Sequence, residues 1–388
     1  MDVRKRVEDI KVAILSPRTG YVLRGAEVHA YELKRQFRCQ TEIFSLFESS
    51  FTWKVPGIKR TDKIFSLLRV YEKTARATKF YRIFRKGPIE AYTADHFEEL
   101  TFGLNMAREL DRFQPDVIIN IGGPNVGIFV KKYRKKWGVP FLTVGGSGKG
   151  RIETWNAQTR PDYYVTQTPS IDRFIHEVTP QVKTVLIPNG ADLNRFDPSG
   201  DRFSEEELRK LSLVSDPLVE RPLILSTSAL STNKRLDTLI EACALLKRGT
   251  LVLVGEGDQN EKLLALAKAR LGKRWVYLGV IPYSEIDKIY RSCDVFCLPS
   301  INEPFGTVFI EAMAAGLPVV ADRDEDREWM MGSEGGVLTD VRNTEGLARA
   351  LQEAADRDWQ GGPRKNAEGR FCWEMVAREF ERVIESLV

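Results

Sequence analysis

Ser300-Ile-Asn-Glu-Pro-Phe-Gly-Thr-Val-Phe-Ile-Glu-Ala-Met-Ala-Ala-Gly-Leu-Pro-Val-Val320 sets two carboxylates, Glu303 and Glu311, on either side of a Phe-Gly-Thr turn that opens a helix. Gly306 lets the backbone come close to a ligand, and the first N–H groups of the helix are anion donors without a partner in the helix itself. Glu303 precedes the helix end and can point where that end faces. Glu311 lies further in, where an ionised carboxylate can accept from two neighbouring hydroxyls. Phosphate between two hydroxyl-bearing groups is the outline of a nucleotide-sugar, so this stretch predicts a sugar-nucleotide site.

Outward from it, short apolar runs alternate with helical patterns. Strands are expected at 223–227, 251–254, 276–278, 295–298 and 318–321, with helices at 235–246, 259–271, 284–291, 306–315 and 344–356. The same grammar fills the N-terminal half, with strands at 11–15, 117–121, 141–144, 163–165 and 184–187 and helices at 26–38, 92–112, 125–137 and 169–177. Strands alternating with helices imply parallel sheets covered on both faces. At 388 residues the chain exceeds one hydrophobic core. Two doubly wound α/β domains are therefore expected, with ligands bound where strand ends face a cleft. The expected N-terminal domain is 1–195 and the expected C-terminal domain is 196–371. An amphipathic helix closes the chain from 372 to 388.

Hydrophobic residues make up 43% and charged residues 29%, ordinary values for a globular protein. No window approaches eighteen uncharged apolar residues, and the charged start Met1-Asp-Val-Arg-Lys-Arg-Val-Glu-Asp9 does not read as a secretory signal. Five scattered cysteines read as buried thiols in a reducing cytoplasm. Charge is uneven: residues 1–190 hold 32 Lys and Arg against 20 Asp and Glu, and the remainder holds 26 against 34. The N-terminal half is thus expected to face an anionic partner. Between Trp53 and Gly87, eleven Lys and Arg stand with interleaved aromatics against Asp62 and Glu72 alone, and Lys131-Lys-Tyr-Arg-Lys-Lys136 adds a second cluster. These read as a surface for anionic lipid or as a solvated face. No module that would read nucleic acid is visible, and none is expected as a partner.

Ser228-Ala-Leu-Ser-Thr-Asn-Lys234-Arg235 follows a strand and starts a helix. A fixed cation there stabilises the charge that develops as a diphosphate departs. Val254-Gly-Glu-Gly-Asp258 and Leu278-Gly-Val-Ile-Pro282 are each consistent with a tight turn or with a ligand loop. Val144-Gly-Gly-Ser-Gly-Lys-Gly150 could cradle an anion but lacks the P-loop spacing. Asp322-Arg-Asp-Glu-Asp326 reads as a surface loop; with only three histidines in the chain, no metal site is expected. His29 reads as a packed histidine.

Segment 300–320 resembles the Glu-x7-Glu donor motif of retaining glycosyltransferases of family 4, which have the two-lobed GT-B fold. The resemblance implies transfer of a hexosyl group from a nucleotide-diphosphate sugar to an acceptor hydroxyl, with the anomeric configuration retained and no protein nucleophile. It implies that Glu303 contacts sugar hydroxyls, Glu311 the ribose, and Phe305, Gly306 and Thr307 the sugar and phosphate. Lys234 would stabilise the leaving diphosphate. The family's usual Gly-Arg is replaced here by Ser228-Ala229, with Arg235 the neighbouring cation. Gly255 would lie beside the nucleotide, and Val280 and Ile281 would bond the base through their backbone. Gly20 and Gly25 would let a loop approach diphosphate or acceptor, and the closing helix would pack back on the N-terminal domain. No cofactor is expected, the sugar nucleotide being a substrate. The acceptor is expected to be a glycan or lipid-linked, with the protein cytoplasmic or peripheral on the inner membrane face. An epimerase of the same fold and a sugar-nucleotide binder without turnover stay open as alternatives.

Overall fold

The structure, a computed structural model, describes residues 5–17, 25–45, 52–53 and 94–388. The Trp53–Gly87 stretch, apart from the backbone of Trp53, and Gly20 lie outside the described residues. The chain divides into two units, residues 1–189 with 373–388 and residues 190–372. The division falls six residues before the expected 195, because Ala191 already bridges Cys372 and its N–H donates to the Phe371 carbonyl at 2.7 Å, tying together the two ends of the second unit.

In the first unit the strands are β1 (Lys11–Leu15), β2 (Gln40–Phe44), β3 (Thr52–Trp53), β4 (Val117–Asn120), β5 (Phe141–Val144), β6 (Tyr163–Thr166) and β7 (Thr184–Leu186). They pair in parallel in the order β3-β2-β1-β4-β5-β6-β7. Helices α1 (Gly25–Gln36), α2 (Ala94–Phe113), α3 (Gly123–Trp137), α4 (Arg151–Gln158) and α5 (Pro169–Val178) connect them. The alternation along β1 shows why both faces are apolar. Val12 and Ile14 pack with Ala30 and Leu33 of α1 and with Phe37 just after it, whereas Ala13 and Leu15 pack with Phe102 and Met106 of α2 and Val126 of α3. A strand buried on both faces reads as a continuous apolar run.

The second unit contains α6 (Glu205–Leu211), β8 (Leu223–Thr227), α7 (Leu236–Leu245), β9 (Thr250–Val254), α8 (Asn260–Leu271), β10 (Trp275–Tyr277) and α9 (Ile286–Ser292). It continues through β11 (Val295–Leu298), α10 (Thr307–Ala314), β12 (Val319–Asp322), α11 (Glu325–Met331), β13 (Gly336–Thr339), α12 (Thr344–Asp356) and α13 (Gly362–Arg370). Its parallel sheet has the order β10-β9-β8-β11-β12-β13. The chain builds outward from β8 through β9 to β10, then returns to the other side of β8 with β11. Ligands of open α/β sheets bind at such reversals, outside the carboxyl ends of the strands. The loops after β8 and β11 both leave from this point.

The closing helix α14 (Trp373–Glu385) lies on the first unit, where Trp373, Val376, Ala377, Phe380 and Ile384 join the core of α1. Glu381, nearly buried, accepts from the Arg38 N–H at 2.6 Å and from its guanidinium at 2.8 and 2.9 Å.

Candidate functional site

After β8 the chain makes a short turn of 3-10 helix at Thr232–Lys234, and Arg235 takes a left-handed φ of +51° before α7 begins. That kink separates Lys234 from the helix. Its Nζ donates to Glu303 Oε2 at 2.6 Å, and the two side chains are only 17% and 13% exposed. The cation and the carboxylate that the sequence places 69 residues apart are one ion pair at the strand-order reversal.

The loop that carries Glu303 is held in an unusual backbone path. Asn302 has φ +59° and Gly306 φ +80°. A Cβ at Gly306 would meet the Phe309 ring at 2.6 Å, so glycine is required both by φ and by space. The α10 N-terminus at Gly306 has no side-chain cap. Phe305 is buried and stands edge-on to Phe371, 6.4 Å between ring centroids. Its ring belongs to the core, so a ligand would meet its backbone.

Arg327, buried on α11, anchors this loop. Its Nη2 donates to the Glu303 carbonyl at 2.7 Å and its Nη1 to the Phe305 carbonyl at 3.1 Å, while Nε bonds Asp324 at 3.1 Å. Asp324 also caps α11 by accepting from the Arg327 N–H at 2.8 Å. The reading of Asp322–Asp326 as a surface loop is therefore corrected. Asp322 and Asp326 are buried, Asp322 accepts from the Val341 N–H at 3.3 Å, and Asp324 serves as counter-ion to the arginine that clamps the loop. A buried guanidinium needs such a partner. Among the described residues no group of three His, Cys, Asp or Glu is placed to hold a metal ion.

Glu311 comes from α10 and accepts from the Tyr290 hydroxyl at 3.1 Å. Tyr290 and Thr227 hydroxyls are 2.8 Å apart. Burial pushes the Glu311 carboxyl above its usual range, against the opposing pull of the Tyr290 hydrogen bond and of Arg195.

The other residues singled out by sequence fall on neighbouring loops. Ser228 follows β8, and its buried Oγ meets no partner among the described residues. The Arg235 guanidinium is turned along its own helix, donating to Thr238 Oγ1 at 3.2 Å. Gly255 has φ +123°, and a Cβ there would sit 2.0 Å from the Ser228 carbonyl; the glycine is explained by the loops after β8 and β9 touching. The Gly255 N–H donates to the Gly279 carbonyl at 2.7 Å, and Val280, 66% exposed, and half-buried Ile281 follow. Residues 228, 255 and 279–281 thus line the carboxyl ends of three adjacent strands, β8, β9 and β10.

In the first unit Gly25 is the first residue of α1. His29 is buried edge-on to Trp373 and Phe380, with Nδ1 against Asn189 Oδ1, and desolvation lowers it to about 4, opposed by that hydrogen bond. In the glycine loop 145–150 two N–H groups are already taken by the chain's own Glu153 carboxyl, which burial pushes above the usual carboxylate range against the pull of its hydrogen bonds. Glu153 Oε1 accepts from the N–H of Gly146 at 2.8 Å and of Ser147 at 2.5 Å, and its other oxygen accepts from Tyr164. Glu153, Arg327, Tyr290 and Thr227 are the residues sequence reasoning missed, and Asp324 is the one it assigned to a surface loop. Only Glu153, a carboxylate one helical turn after a glycine run, left a local signal.

Residues 213–366, which span Lys234 to Glu311 and Arg327, match the family model described as glycosyl transferases group 1. An uncharacterized glycosyltransferase of Methanocaldococcus jannaschii is 31% identical over 216 residues, covering 53% of this chain and 54% of that protein. A GDP-mannose-dependent alpha-(1-6)-phosphatidylinositol monomannoside mannosyltransferase of Mycobacterium tuberculosis is 31% identical over 200 residues, covering 48% and 50%. The chain spans about half the length of these curated relatives. A sucrose-phosphate synthase from Thermosynechococcus elongatus superposes with a TM-score of 0.70 at 19% identity, over 97% of this chain and 99% of that one. The chain has the GT-B fold of two α/β units.

Proposed function

We propose that the protein is a glycosyltransferase that moves a hexosyl group from a nucleotide-diphosphate sugar to an acceptor hydroxyl, with retention and without an obligatory metal. The observation that carries this reading is the Lys234–Glu303 pair at 2.6 Å, on loops that leave the sheet at its strand-order reversal, with Glu311 on the helix that follows. Lys234 stabilises negative charge growing on the diphosphate, an effect that acts in the transition state more than in the ground state. Glu303 holds sugar hydroxyls, Glu311 holds the ribose, and the backbone of Phe305–Thr307 receives sugar and phosphate. The lysine acts without the second cation that Gly-Arg would bring, since Arg235 is engaged with Thr238.

The acceptor we propose is a lipid-linked or glycan precursor at an anionic membrane face. Helix α3 supports this: Ile128, Lys131, Lys132, Lys135, Lys136 and Trp137 are all exposed on it. Cationic side chains beside an indole suit a headgroup layer. Among the described residues no helix is long and apolar enough to cross a membrane.

The test is release of nucleoside diphosphate from UDP- and GDP-sugars as acceptors are added, with the product anomer read by NMR. Release that depends on acceptor and gives a retained anomer is expected. A changed sugar still joined to its nucleotide would replace this reading with an epimerase. Binding without release across the acceptors would leave a sugar-nucleotide binder.

A further inference from the structure

Tyr290 lies at the meeting point of three elements and is fully buried. Its ring stacks on Phe296 at 5.7 Å and stands edge-on to Phe196 at 5.5 Å, so the phenol is fixed in direction. Phenylalanine would fill this space. A phenol buried there is costly unless its hydroxyl is bonded. Its hydroxyl meets Thr227 Oγ1 at the end of β8 and Glu311 Oε2 on α10. An ionised carboxylate only accepts, so the Tyr290 hydroxyl donates to Glu311 and the Thr227 hydroxyl donates to Tyr290.

We propose that Tyr290 is the positioning residue for Glu311, holding one carboxylate oxygen so that the group keeps a single orientation toward the ribose hydroxyls of the donor, with Thr227 setting the direction of the phenol proton. The proposal rests on the donor-site reading above. The electrostatics agree with the geometry. Burial opposes the ionised form of Glu311, and Tyr290 and Arg195 are the groups that favour it. Arg195 is shared with Asp287, 3.6 Å away, and the phenol is hydrogen-bonded to the Glu311 carboxylate. Without it Glu311 takes up a proton at higher pH and becomes a donor on one oxygen. A protonated carboxyl is a weaker acceptor with fewer free lone pairs, and holds two neighbouring hydroxyls less well than the carboxylate does.

The experiment is calorimetric titration of the full chain with UDP and GDP from pH 5 to 8, using wild type, Tyr290→Phe, Thr227→Val, Glu311→Gln and Tyr290→Phe/Glu311→Gln. The ligand's own ionisation is common to all five and cancels in the comparison. Affinity of the wild type should fall in acid. Tyr290→Phe should move that fall upward by about one to two pH units, the worth of one hydrogen bond to a charged group. Thr227→Val, near-isosteric and leaving the phenol in place, should move it in the same direction by less. Glu311→Gln should lose this part of the pH dependence, and adding Tyr290→Phe to it should change nothing further. Profiles for Tyr290→Phe and wild type that coincide would overturn the proposal while leaving the donor site standing. A shift that persists in the Glu311→Gln background would also overturn it. Absence of nucleoside diphosphate binding by the wild type would overturn the donor reading and this proposal together.

Discussion

Replacing Glu303 by glutamine should tighten the binding of a nucleoside diphosphate while it slows transfer. The opposed signs come from the ion pair. Lys234 and Glu303 meet at 2.6 Å with side chains 17% and 13% exposed, neither in open solvent nor fully dry. Exposed pairs are worth at most about 1 kcal/mol, and a hydrogen bond to a charged group about 1.5–3 kcal/mol. An intermediate value of about 1–2 kcal/mol is therefore assigned to the contact. A diphosphate that recruits Lys234 shares it with this carboxylate. A ligand that lacks the sugar gives Glu303 nothing to hold in return. Glutamine keeps the size of the side chain and the residue-303 carbonyl bonded by Arg327, yet removes the competing charge. Affinity for UDP or GDP should rise roughly five- to thirtyfold at low salt, and the gain should shrink as salt screens it. Turnover of the complete sugar donor should fall, because the amide replaces a charged acceptor for sugar hydroxyls. Calorimetry on a variant with wild-type melting temperature measures the first effect, and product release the second. Unchanged or weakened diphosphate binding in Glu303→Gln would refute the competition.

Lys234→Ala should cut turnover roughly a hundred- to thousandfold, more than it weakens donor binding, as judged by single-turnover rates beside calorimetry. His29 should make the first unit sensitive to acid: its native value of about 4 lies below the ordinary 6.5, so the unfolded chain binds the extra proton between them. Stability is then full above about pH 6.5 and declines by roughly 3 kcal/mol as pH falls to about 4, a slope that denaturant titrations should find flattened in His29→Gln. Reversal of Lys131, Lys132 and Lys135 to glutamate should release the protein from anionic liposomes at low salt without changing diphosphate affinity. Sedimentation with vesicles of stated phosphatidylserine content reads this, at about 1 kcal/mol for each lysine near the surface.

Much of the fold was legible because parallel strands covered on both faces announce themselves as apolar runs. Val295–Leu298 and Leu223–Thr227 were placed from that signal, and both stand in the sheet at those positions. Elements without it were not placed. Strand β13, Gly336–Thr339, is half-buried along its whole length at the sheet edge. Helix α11 begins in the acidic run that resembled a surface loop, because Arg327 is buried by pairing with the half-exposed N-cap Asp324 rather than by being apolar. The site divides in the same way. Lys234 and Glu303 could be named from local pattern, since glycine, proline and a helix start surround them. Their direct pairing could not, because it depends on β8 and β11 being neighbours across 69 residues of chain. Tyr290 carries no signal either: on α9 it occupies a position that apolar spacing assigns to the core, and the hydroxyl is what distinguishes it.

The glycine loop after β5 has a consequence for how this chain meets small anions. Glu153 is tethered one turn away and delivers its carboxylate to the Gly146 and Ser147 N–H groups as an intramolecular ligand. A tethered group acts at an effective concentration that dissolved phosphate has to exceed before it can compete. The amide pair is thereby reserved, and a loop whose composition invites anions is closed to those in solution. The reservation is lifted by a single methylene-and-carboxyl deletion: in Glu153→Ala the two amides lose their acceptor, and formate or acetate from solution is small enough to take it up. A backbone suited to anion capture is thus kept in the fold under the lock of one side chain.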